Sequence, residues 1–132
     1  MSAPPLLRIE FPARAESLAE VRAAVQRALA TQHIDARIAA RIVLAIDEAC
    51  ANIIRHATAR RITLKASIDD RLTLEIADDG RGMPPGSEQR TGSHGLKQMR
   101  FRMEAVGGTL RISPNDLGGT SVQLSVPLEG SG

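Results

Sequence analysis

Residues 61–82 read RITLKASIDDRLTLEIADDGRG. Ile62, Leu64, Ala66 and Ile68 alternate with polar neighbours, and Leu72, Leu74 and Ile76 continue the alternation up to Asp78. A period of two is the signature of a half-buried strand. The pair Asp69-Asp70 between the two runs is tight-turn chemistry, so the stretch predicts an antiparallel hairpin. It ends in Asp78-Asp79-Gly80-Arg81-Gly82, a carboxylate followed by alternating glycines. Glycine lets a backbone approach a flat ligand closely. Asp78 is either an ordinary turn residue or an acceptor for the exocyclic amine of a purine.

Upstream, Leu7, Ile9 and Phe11 alternate with Arg8 and Glu10, which predicts a first strand ended by Pro12. Leu18, Val21, Val25, Ala28 and Leu29 recur at helical spacing between about Glu16 and Gln32. A second helix starts near Asp35 as N-cap and runs to about His56, with Ile38, Ile42, Ala45, Ile46, Ala49 and Ile53 as its apolar stripe. Downstream, Gly80 to Ser93 is rich in Gly, Pro, Ser and charge without periodicity. A loop of that length in a compact domain is usually functional, and Met83 to Ser93 is expected to act as a lid. Gly95 to Val106 predicts a third helix closed by Gly107-Gly108. Thr109 to Ile112 and Thr120 to Val126 predict two last strands around a turn at Pro114-Asn115-Asp116. This order implies an α/β (α+β) two-layer sandwich: a mostly antiparallel mixed sheet with helices on one face. A parallel doubly wound fold would need a helix between most strands.

The chain has 132 residues, the size of one domain. Residues 6–128 form it, with 1–5 and 129–132 as flexible tails. Only Phe11 and Phe101 are aromatic, which excludes a base-stacking platform. The net charge is +2, and the arginines alternate with acids, so no nucleic-acid surface is indicated. The lone Cys50 excludes an internal disulfide and a cysteine-based zinc site. There is no signal-peptide pattern and no apolar run long enough for a membrane span, so a cytoplasmic location is expected. The start at Met1 is taken to mark a full-length chain.

Glu48 and Asn52 lie i, i+4 on one face of the second helix. They are either a solvated helix edge or a working pair. Asparagine is a poor helix-interior residue, and an amide oxygen facing a cleft can hold Mg²⁺ with phosphate oxygens. Glu48 could then deprotonate a water or hydroxyl. Gly92, His94 and Gly95 stand where a helix N-terminus would offer free N–H groups to phosphate. Leu96 follows them, and Lys97 and Arg100 could add positive charge or lie on the surface. Arg55 and His56 are further phosphate-side candidates, His56 alternatively capping its helix. His33 reads as ordinary surface.

Glu48-x-x-x-Asn52, Asp78-x-Gly80-x-Gly82, Gly92-x-x-Gly95 and Gly119-Thr120 together resemble the N box, glycine boxes and terminal Gly-Thr of the GHKL (Bergerat-fold) ATPases. The resemblance spans about Leu6 to Leu128. It implies ATP and Mg²⁺ as ligands, Asn52 as the metal residue, and Asp78, Gly80, Gly82, Gly92, His94, Gly95, Leu96 and Thr120 around the nucleotide. The N-terminal part, through Ile46 to Ala57, is similar to the anti-sigma-factor serine/threonine kinases. That likeness implies Glu48 as general base, phosphate transfer in trans to a STAS-type antagonist protein, and a sigma factor as second partner; a homodimer is compatible with it. The part from His94 to Leu110 looks more like the ATP-binding domain of a class of sensor histidine kinase, in which a glycine usually stands at Gln98. The alternatives are therefore a histidine-kinase-like signalling protein or a non-catalytic nucleotide-binding regulator. No predicted helix is long enough to supply the phospho-accepting helix pair of a histidine kinase. The identity of the antagonist is not readable from the residues.

Overall fold

The computed structural model describes residues 6–56, 59–80, 94–105, 107–115 and 118–127, with side chains except at His56 and residues 94–98. The elements run β1 (Leu7–Pro12), a 3₁₀ turn (Ala15–Ser17), α1 (Leu18–Thr31), α2 (Ala36–His56), β2 (Arg61–Ile68), β3 (Arg71–Asp78), α3 (His94–Ala105), β4 (Thr109–Pro114) and β5 (Thr120–Pro127). The five strands form one sheet in the order β1-β2-β3-β5-β4. Every pairing is antiparallel, so the mixed character expected from the sequence is not found among the described residues.

The β2–β3 hairpin sets the register of the sheet. Ile68 pairs with Leu72, Leu64 with Ile76 and Ile62 with Asp78. The turn closes when Asp69 Oδ1 accepts the Arg71 N–H at 3.0 Å. This aligns three rows of buried side chains: Ile62, Leu64 and Ala66 on β2; Leu72, Leu74 and Ile76 on β3; Val122, Leu124 and Val126 on β5. Between them Lys65, Ser67 and Gln123 face water. A one-residue slip would invert every one of these positions. Prolines stand at the ends of both edge strands, Pro12 paired with Arg61 and Pro114 with Thr120. Pro114 therefore belongs to β4 rather than to the turn predicted for it. A missing N–H is tolerated at a sheet edge.

The helices cover the apolar face. Ile42, Ala45, Ile46, Ala49, Cys50 and Ile53 of α2 are buried in the same core as Val21, Val25 and Leu29 of α1 and Met99 and Met103 of α3. Asp35 caps α2 as predicted, its Oδ1 accepting the N–H groups of Arg37 at 2.9 Å and Ile38 at 3.4 Å. Burial, with Asp47 alongside, pushes the Cys50 thiol up to about 12. That thiol is a core hydrophobe and not a nucleophile. Arg22 ties α1 to α2 by donating to both oxygens of Asp47, at 3.1 and 2.8 Å. No helix among the described residues is long and apolar enough to cross a membrane.

α1 ends through a residue with inverted backbone. His33 has φ +56°, its N–H donates to Ala30 O, and the Ile34 N–H reaches back to Leu29 O. This is a left-handed C-cap, a position usually taken by glycine. His33 is exposed, as expected, but its backbone role was not foreseen. At α3 the same job falls to glycines: Gly107 (φ +76°) and Gly108 bond back to Glu104 and Met103. His33→Gly removes a steric penalty of roughly 1 kcal/mol. It should therefore raise the melting temperature by a few degrees in a calorimetric scan; a lower melting temperature would show that the left-handed turn carries no strain.

Candidate functional site

Asp78 continues the buried row Leu72, Leu74, Ile76 on β3, so the strand's alternation aims a carboxylate where a hydrophobe would otherwise sit. It is 1% exposed. Burial sets it apart from an exposed turn residue, although its side chain also makes the Asx-turn contact that its sequence suggests. Its Oδ1 accepts the Gly80 N–H at 2.8 Å. Its Oδ2 is buried and has no hydrogen-bond partner. Burial pushes this carboxyl above the usual carboxylate range, against the pull of the Gly80 and Thr120 backbone N–H groups, and neighbouring Asp79 adds to the rise.

An orphaned buried acceptor costs about 1–3 kcal/mol. The surroundings show that it is held there by construction. The Asn115 amide donates to the Asp78 carbonyl at 3.0 Å, and its Oδ1 takes the Gly119 N–H at 3.1 Å. The β4–β5 turn is thus fastened onto the end of β3. A β-carbon at Gly119 would overlap both the carbonyl oxygen and Oδ1 of Asp78, so only glycine permits this approach. Thr120, which follows, is 5% exposed. The adjacent acid behaves oppositely. Asp79 Oδ1 accepts the N–H groups of Arg60 at 2.8 Å and Arg61 at 3.1 Å. Those bonds, the one from Arg61 foremost, hold its carboxyl below the usual range. One aspartate anchors the start of β2 while its neighbour is buried at the end of β3.

The α2 residues come to the same end of the sandwich. Four residues, 57–60, separate the end of α2 from Arg61, and Ile62 pairs with Asp78. Glu48 and Asn52 are half-buried, and Arg55 is exposed. Glu48 is not free: Arg102 of α3 donates its Nε to Oε1 at 2.5 Å. His94, Gly95, Leu96 and Lys97 form the first turn of α3 by backbone, which begins at His94, one residue before the predicted start. Their side chains, and that of His56, lie outside the described residues, as do Gly82, Gly92 and the predicted lid. Gly80 is described and supplies the N–H on Asp78. Asn115 and Arg102 were missed. Asn115 reads as a generic turn residue, and Arg102 stands 54 residues from the carboxylate it binds.

A buried acceptor oxygen with no donor of its own fits an exocyclic amine. Asn52 is the residue here that would hold a phosphate-bound Mg²⁺.

Comparison with known proteins agrees with this geometry. The family model described as histidine kinase-like ATPase domain matches residues 11–125. The chain is 49% identical over 77 residues to the signal transduction histidine-protein kinase/phosphatase UhpB of Salmonella typhimurium, covering 58% of this chain and 15% of that protein. It is 36% identical over 99 residues to the nitrate/nitrite sensor protein NarQ of Escherichia coli, covering 74% and 17%. The chain thus spans less than a fifth of the length of either relative. Among solved structures, the ATP-binding domain of PrrB from Mycobacterium tuberculosis superposes with a TM-score of 0.61 at 30% identity over 69% of both chains. The RsbU and RsbW domains of Rv1364c from the same organism superpose with a TM-score of 0.70 at 26% identity, covering 96% of this chain and 33% of that one.

Two outcomes follow from Asp78. Asp78→Asn replaces the orphaned acceptor with a donor facing a donor. ATP affinity, measured by calorimetry, should fall by on the order of 100-fold or more; unchanged affinity would remove Asp78 from the site. The pH dependence has a definite sign. Because its folded-state value is raised, the carboxyl's contribution to stability is present below the ordinary value and lost as pH rises through the raised one. Nucleotide-free Asp78→Asn, which does not titrate there, should gain on wild type in urea denaturation as pH rises from acid to neutral; a constant gap would contradict the shift.

Proposed function

The chain belongs to the histidine kinase-like ATPase domain family, and on that premise we propose that it binds Mg²⁺·ATP and donates the γ-phosphate to a histidine on a separate helical segment of a signalling protein. The observation that carries ATP binding is the buried, unpartnered Oδ2 of Asp78. Asn52 holds the metal, and the first turn of α3 meets the phosphates with its backbone N–H groups. Phosphoryl transfer needs mainly positioning and charge stabilisation from the protein.

The choice of acceptor rests on Glu48. A serine or threonine hydroxyl needs a base to take its proton, whereas a neutral imidazole carries a nucleophilic lone pair already. Arg102 engages Oε1 of Glu48, and a cation held on a carboxylate lowers its basicity at either oxygen, which favours imidazole. The name of UhpB, a histidine-protein kinase/phosphatase, points the same way. By this reading the domain works on the cytoplasmic side, where ATP is held.

A second reading keeps the serine/threonine kinase, with an antagonist domain as substrate and a sigma factor as partner. It is favoured by the overlap of nearly the whole chain with the RsbU and RsbW domains.

Labelled ATP separates the two. The chain is incubated with a helical segment carrying a candidate acceptor histidine and, in parallel, with a STAS-type antagonist domain. We expect label on the helical segment through an acid-labile, alkali-stable phosphoramidate. An acid-stable, alkali-labile ester on the antagonist would establish the second reading instead.

A further inference from the structure

The Arg102–Glu48 pair differs from the other ion pairs among the described residues. It is the shortest, at 2.5 Å, and the least exposed, with side chains at 29% and 21%. The two surface pairs, Arg8–Glu10 and Arg61–Glu10, are each 3.5 Å long. It joins α2 to α3 at their packed interface, one turn of helix before Asn52. Charge-assisted hydrogen bonds are of the strong kind.

Its chemical consequence concerns water. For ATP to be hydrolysed, a water oxygen forms a bond to the γ-phosphorus while the bond from that phosphorus to the β–γ bridging oxygen breaks. ADP leaves with the bond's electron pair, and the attacking water passes a proton to a base. Glu48, a turn away from the residue that would hold the metal, is the carboxylate placed to accept it. With the guanidinium on Oε1, a proton taken on either oxygen neutralises the carboxylate and weakens this charge-assisted bond, so the pair makes Glu48 a poorer base. An imidazole acceptor is unaffected, because it attacks without first losing a proton.

Resting on the ATP-binding reading above, we infer that Arg102 is a specificity-determining residue: it holds Glu48 in an ion pair and so suppresses transfer of the γ-phosphate to water, leaving ATP for a protein acceptor. Arg102 acts through Glu48 and is a positioning residue, not a catalytic one.

The test uses Arg102→Gln, Arg102→Lys, Glu48→Gln and the double variant Glu48→Gln/Arg102→Gln. Release of phosphate is measured at saturating Mg²⁺·ATP without acceptor, ATP affinity is measured by calorimetry, and melting temperature is measured without nucleotide. Arg102→Gln should raise hydrolysis by about tenfold or more, within the range a freed general base supplies. Arg102→Lys, which keeps the charge, should stay near wild type, and the double variant should show no rise. Without nucleotide, each single Gln variant should melt lower than wild type, and the double no lower than the worse single, because both remove one interaction. Unchanged or slower hydrolysis by an Arg102→Gln protein that still binds ATP overturns the inference and leaves the ATP reading intact. A rise that persists in the double variant overturns it too, since the effect would not pass through Glu48. Failure of wild type to bind ATP overturns the underlying reading, and the inference with it.

Discussion

A carboxylate buried without a partner for one of its oxygens is the constraint on which this molecule turns. Asp78 occupies the last inward position of β3, in a row otherwise made of Leu72, Leu74 and Ile76. Leaving Oδ2 dry and unbonded is unfavourable, and the local structure is what enforces it. Gly80 engages the other oxygen, Asn115 fastens the β4–β5 turn to the Asp78 carbonyl, and Gly119 packs where no side chain fits. Stability is given up at one atom, and the result is an acceptor already stripped of water and fixed in direction. Such a group binds a matching donor with little reorganisation and rejects a ligand that lacks one.

The sheet makes this arrangement dependable. The β2–β3 hairpin has a tight turn and a buried row on each strand, so its register is tightly specified. A slip of one residue would put Asp78 in water and Ala77 in the cleft. The same hairpin fixes α2 at the cleft end, because only four residues join them. The strand with Asp78 and the helix with Glu48 and Asn52 are therefore joined by one short connection. The pairing of Glu48 with Arg102 then links that helix to α3, the element that opens with His94 and Gly95.

Much of this was legible in the sequence because its signals are periodic or local. Alternation in residues 61–78, the helical stripe through Ile42, Ala45, Ile46 and Ala49, the Asp35 cap and the Gly107-Gly108 stop each involve neighbours within a turn or two. Motif spacing likewise drew attention to Asp78 and the Glu48/Asn52 pair. What escaped was long-range or conformational. Nothing near Arg102 announces a carboxylate 54 residues away. Asn115 is one of many turn asparagines until β5 folds back to place it on Asp78. His33 adopts a left-handed backbone without being glycine, because two reverse-turn hydrogen bonds hold it. Whether Asp78 was an exposed or a buried carboxylate could be decided only by the packed fold.

The central claim is that Asp78 Oδ2 reads the exocyclic amine of adenine. The most direct measurement compares ATP with purine riboside triphosphate, which differs from it by the absence of that amine alone, in calorimetric titrations of the wild-type chain with Mg²⁺. The account predicts clear binding of ATP and a loss of at least about 100-fold for the analogue. Equal affinity for the two nucleotides would contradict it.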